Sequence, residues 1–79
     1  MEKSTQVTLY VVPSCPLCER ARGWLKAHGL EFNERDVAND FSALRAMLRL
    51  TRQRLVPVFE AEGRALVRPS DAELAAFLL

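Results

Sequence analysis

Both cysteines of this chain fall within the four residues Cys15-Pro16-Leu17-Cys18, directly after the β-branched run Val7-Thr8-Leu9-Tyr10-Val11-Val12 and a break at Pro13-Ser14. That placement constrains the fold more than any other feature. A bond between the two sulfurs would close so short a loop that little entropy would be removed from the unfolded chain, which argues against a structural staple. A tetrahedral zinc site needs four ligands, and the one histidine, His28, lies ten residues beyond Cys18, roughly 15 Å along a helix. A mononuclear metal site is therefore not expected. What remains is a reactive pair held where a strand gives way to a helix.

Periodicity places the other elements. Val7 to Val12 is nearly continuously apolar, as in a central strand covered on both faces. A helix is predicted from about Pro16 to His28, with proline in the first turn, where its missing N–H costs nothing, and Gly29 as its stop. Cys18, Ala21, Trp24 and Leu25 supply its inward stripe. Glu31 to Val37 is a weaker strand anchored by Phe32 and Val37. Asn39 or Asp40 caps a second helix ending near Leu50 or Thr51, in which Phe41, Leu44, Met47 and Leu48 recur at helical spacing. Val56-Pro57-Val58-Phe59, a turn at Glu62-Gly63 and Ala65-Leu66-Val67 read as a β-hairpin. Ser70 with Glu73 forms a capping box for a last helix carrying Leu74, Phe77 and Leu78.

The order is β-α-β-α-β-β-α. A strand-helix-strand opening pairs in parallel through a right-handed crossover, while the closing hairpin is antiparallel. The result is an α/β fold, a mixed four-stranded sheet with helices on both faces, which resembles the thioredoxin type. Seventy-nine residues form one domain over 1–79, expected to be a monomer. Eleven basic against ten acidic residues leave a net charge of +1, so no bulk field draws the chain to nucleic acid or an acidic membrane. No apolar run approaches the ~20 residues that cross a bilayer. The opening residues lack the core and cleavage site of an export signal, so a cytoplasmic location is expected.

Thiol–disulfide exchange needs a thiolate and a second thiol near enough to resolve the mixed disulfide. Cys15 falls at the cap of the first helix, whose positive end and unpaired N–H groups favour a thiolate there. Cys18, one turn inside beside Ala21 and Leu25, is shielded and suited to resolve. Pro16 fixes the backbone, and Leu17 projects outward as an apolar rim.

Leu9-Tyr10, then Cys15-Pro16-Leu17-Cys18, Ala21 and Leu25, and finally Leu50-Thr51-Arg52-Gln53-Arg54-Leu55-Val56-Pro57-Val58-Phe59 resemble a glutaredoxin over nearly the whole chain. The resemblance implies a thiol–disulfide oxidoreductase acting on protein or small-molecule disulfides, with no tightly bound cofactor and with glutathione or thioredoxin reductase as electron source. It also implies that Pro57 is cis and faces the cysteines, and that the backbone of Val56 pairs with an extended peptide or with glutathione.

Several family positions differ. Val12 stands where a basic residue precedes the first cysteine by three, Leu17 replaces an aromatic residue, Leu55 replaces threonine, and Val67-Arg68 replaces Gly-Gly. Arg52, Gln53 or Arg54 remain to meet the glycine carboxylate of glutathione, with Ser70 and Asp71 for its γ-glutamyl end. Arg68-Pro69-Ser70-Asp71 partly resembles the redoxin branch that thioredoxin reductase reduces. Two alternatives use the same residues differently: iron–sulfur or copper handling by the cysteine pair, and a redox-inactive interaction domain. Arg45 and Arg49 read as a solvated helix face, His28 as a helix C-cap, and Glu19 as an exposed first-turn acid.

Overall fold

Val58 and Phe59 are adjacent in the chain and both almost wholly buried, at 0% and 1% exposure. Neighbouring strand residues face opposite ways, so this sheet is covered on both sides. The computed structural model describes residues 6–79, and the part of the export-signal reading that concerns residues 1–5 lies outside them. The strands are β1 (Val7–Val11), β2 (Phe32–Asp36), β3 (Val58–Ala61) and β4 (Arg64–Val67); the helices are α1 (Pro16–Ala27), α2 (Phe41–Thr51) and α3 (Asp71–Leu78). The sheet order is β2-β1-β3-β4, with β1 parallel to β2 and antiparallel to β3, and β3 antiparallel to β4. The mixed thioredoxin-like sheet expected from the element order is the one observed. None of the helices is long and apolar enough to cross a membrane, among the described residues.

Register explains how the two layers divide. Leu9 opposes Phe59 across β1 and β3, and Tyr10 opposes Val58. Phe59 faces α1 and α3, since it shares a groove with Ala21 and Leu74. Tyr10 belongs to the other side, where Arg35 lies over its ring at 5.9 Å and also donates to Ser42 of α2 at 3.2 Å. Burying Phe59, Leu9, Leu25 and Met47 completely stabilises the fold by roughly 1.5–3 kcal/mol each. Those four residues come from both layers and the sheet, so the site described below rests on a packed base.

Element ends follow local chemistry. Asp40, one of the two residues expected to cap α2, accepts from the backbone N–H of Ser42 and Ala43 at 3.0 and 3.2 Å. Gly29 takes φ +66° just past α1, and Glu62 and Gly63 make the β3–β4 turn with φ of 54° and 78°. A left-handed backbone at those turns favours glycine, which is why Gly29 stops the helix. One expectation is corrected: Phe41 does not join the core but is 69% exposed beneath the Arg45 guanidinium, 5.3 Å from its ring centre. Ala43 and Met47, four residues apart, hold the inner face of α2 instead.

Candidate functional site

The reactive pair is built by the start of α1. Ser14 turns the chain with a left-handed φ of 56°, and Cys15 follows as the N-cap in extended conformation. Its Sγ accepts the backbone N–H of Cys18 at 3.1 Å, while its carbonyl accepts from Glu19 at 3.0 Å. Pro16 occupies the first helical position, where a helix lacks a partner for the N–H in any case. Cys15 is half-buried and Cys18 fully buried, and both are free thiols. The cap position therefore leaves one sulfur open to solvent and seals the other beneath it.

Burial pushes the Cys18 thiol from 9.0 up to about 11, reinforced by its hydrogen bond and Coulombic coupling to Cys15. The Val12 backbone and the Arg22 cation pull the other way without prevailing. Arg22 lies one turn after Cys18 and is held in place by Glu34 of β2 and, at 3.5 Å, by Glu19. Glu19 thus serves as an exposed ion-pair partner, consistent with its reading as a first-turn acid. His28 caps α1 as expected: its backbone N–H donates to Trp24 and Leu25, and its ring stacks on Trp24 at 3.9 Å.

Beside the motif runs an open groove of about 790 Å³ between α1, the Pro57 segment and the start of α3. Leu17, Pro57, Ser70 and Asp71 line it, so four of the positions proposed from sequence converge there. The Val56–Pro57 peptide is cis, as the resemblance implied. Arg52 and Arg54 are exposed and do not line the groove, and neither do Pro16 nor the buried Val56. Arg52 instead closes α2 in a left-handed conformation, φ 59°, donating its backbone N–H to Leu48. Ser70 spends little on the groove: its backbone N–H donates to Glu73 at 2.8 Å, and its hydroxyl oxygen accepts from the Glu73 N–H at 3.1 Å.

Sequence reasoning did not assign the two cations of the groove, Arg20 and Arg68, to the site, and it placed Trp24 in the core. Arg20 carried a faint signal, since it lies four residues before a half-buried Trp24 on the same helix face. Arg68 carried only the partial resemblance of Arg68-Pro69-Ser70-Asp71, and its contact with the carbonyl of Val56, twelve residues earlier, has no local signal.

Comparison with known proteins follows the same lines. The glutaredoxin family profile matches residues 7–66. A glutaredoxin-like protein from the rubredoxin operon of Clostridium pasteurianum is 31% identical over 68 residues, covering 86% of this chain and 91% of that protein. The global transcriptional regulator Spx 1 of Oceanobacillus iheyensis is 40% identical over 48 residues, 57% of this chain but 37% of the regulator. The crystal structure of a glutaredoxin from Archaeoglobus fulgidus superposes with a TM-score of 0.82 at 18% identity, over 91% of this chain and 84% of that one, a likeness of fold.

Proposed function

The chain belongs to the glutaredoxin family, and from that premise we propose a dithiol thiol–disulfide oxidoreductase that reduces protein or small-molecule disulfides, with Cys15 as nucleophile and Cys18 as resolving thiol. The observation that carries this reading is the asymmetry of the pair: Cys15 is accessible and receives a backbone N–H, while Cys18 is 0% exposed.

In the first step the Cys15 thiolate attacks one sulfur of the substrate disulfide. A Cys15–substrate bond forms, the substrate S–S bond breaks, and the departing thiolate takes a proton from water. Cys18 then loses its proton to solvent and attacks the Cys15 sulfur, expelling the second substrate thiolate and leaving a Cys15–Cys18 disulfide. Two electrons and two protons from glutathione or from a reductase dithiol restore the reduced pair.

The order of the steps follows from the electrostatics. Burial above all, and then the hydrogen bond and Coulombic coupling to Cys15, favour the neutral Cys18 thiol. A Cys15 sulfur bound to substrate is uncharged, which removes the Coulombic part, while burial still opposes ionisation of Cys18 and the Val12 backbone and Arg22 still favour it. The first attack thereby eases the second. Regulation of transcription is not carried over from Spx 1, of which this chain spans 37%.

A Cys18→Ser variant mixed with a disulfide substrate is expected to accumulate one substrate half per chain, read by intact mass. Iodoacetamide at mildly acidic pH is expected to label Cys15 before Cys18. Equal labelling of both thiols at the rate of free cysteine, with no trapped adduct, defeats the assignment. Pairing the oxidised protein with glutathione and glutathione reductase, or with NADPH and thioredoxin reductase, identifies the electron source.

A further inference from the structure

Arg68 stands between β4 and α3 with a left-handed φ of 46°. Its backbone N–H donates to the Pro57 carbonyl at 3.1 Å, and its Nε–H donates to the Val56 carbonyl at 2.6 Å. The resemblance implies that the Val56 backbone pairs with an added peptide strand, and here a cation of the chain itself already occupies its carbonyl. A guanidinium carries five N–H donors in a flat fork. With Nε engaged, the Nη groups of Arg68 remain, and Arg68 joins no ion pair among the described residues. Arg20 lines the same groove from α1 and joins none either. Against these two cations the lining holds one acid, Asp71, so its formal charge is 2 − 1 = +1.

We propose that Arg68, together with Arg20, binds a carboxylate of the substrate and makes this protein selective for polypeptide disulfides that carry an acidic residue beside the cysteine. The inference rests on the redox reading above and adds the class of substrate. Arginine suits the task because its fork pairs with both oxygens of a carboxylate and stays charged at every physiological pH. Recognition moves from the backbone of the substrate to the charge of its side chains: the Val56 acceptor is capped, and the group capping it offers donors of its own. Leu17, Trp24 and Pro57 in the same groove cover the apolar part of such a segment.

The test uses two short peptides, acetylated and amidated so that no terminal charge remains, each with its cysteine as a 2-pyridyl disulfide. One has glutamates flanking the cysteine and the other lysines. Attack by Cys15 forms the Cys15–peptide disulfide and releases neutral pyridine-2-thione, whose absorbance gives the rate. At low ionic strength the reduced protein is expected to react roughly tenfold faster with the glutamate peptide, an advantage that salt erodes. Arg68→Gln keeps an amide able to donate to the Val56 carbonyl yet removes the charge, and is expected to lower the ratio severalfold. Arg20→Gln leaves the Arg68 contact in place and is expected to lower it as well. Equal rates on the two peptides, or a preference that survives in both variants, overturns the proposal. An uncharged alkyl pyridyl disulfide separates the two readings: if the unaltered protein fails to attack it, the redox function falls too, whereas attack without peptide discrimination removes the selectivity alone.

Discussion

Two helices begin beside the same groove, and the same two positions of each are filled by different chemistry. At α3 the N-cap is Ser70 and the third helical residue is Glu73, and each side chain bonds the backbone of the other in a reciprocal capping box. At α1 the corresponding positions are Cys15 and Cys18. Again the cap side chain accepts the N–H of the third residue, at 3.1 Å, but the acceptor is sulfur and no carboxylate returns the bond. The contact that closes a helix in one place holds two thiols together in the other. A capping box and a dithiol motif thus share one geometry, since both need the side chains of residues i and i+3 at a helix start to meet. Residue type alone separates stability from reactivity.

Cys15→Ser tests that comparison most severely, because it makes α1 resemble α3. Serine is the better cap and is expected to hold or raise stability, by up to about 1 kcal/mol in urea titration. Disulfide reduction is expected to fall on the order of a thousandfold or more, since a hydroxyl does not replace a thiolate. Activity lost together with stability would mean that the cysteine served the fold.

The next effect concerns the third position. Cys18 titrates near 11 in the folded protein against 9.0 when free, so the unfolded chain loses its proton first. The stabilisation from keeping this thiol neutral and buried is complete below about pH 9 and disappears as pH rises through about 11. Between pH 8 and pH 11 the reduced protein is expected to lose about 2 kcal/mol more stability than a Cys18→Ala variant, measured by denaturant unfolding. Identical pH slopes would remove the distinction between the buried and the accessible sulfur.

The smallest effect lies at α3. Glu73→Ala opens half of the capping box and is expected to cost about 0.5 kcal/mol, with the rate of Cys15 alkylation within about twofold of the original. A larger loss of reactivity would show that the two helix starts are coupled across the groove.

The motif, the helix that carries it and the order of elements were legible because each rests on residues close together in the chain. Pro16 at the first helical position, the Ser70 and Glu73 box and the Glu62-Gly63 turn are local signals, and the fold honours all three. Phe41 misled because helical spacing shows which residues share a face but not which face meets the sheet. Arg52 and Arg54 stand outside the groove for a related reason. They lie close before Pro57 in sequence, yet the chain has left α2 through a left-handed turn, and neither lines the groove.

From the order of its residues alone this chain determined a strand, a break and a helix that present one cysteine at the cap and a second one turn inside. Those are short-range matters of dihedral angle, capping and periodicity. Only the tertiary structure brought Arg20 of α1 and Arg68 of the β4–α3 loop to one groove, and placed the second over the carbonyl of Val56. Which distant segments share a surface is decided by how the helices pack on the sheet, and nothing in the local pattern around either arginine encodes that.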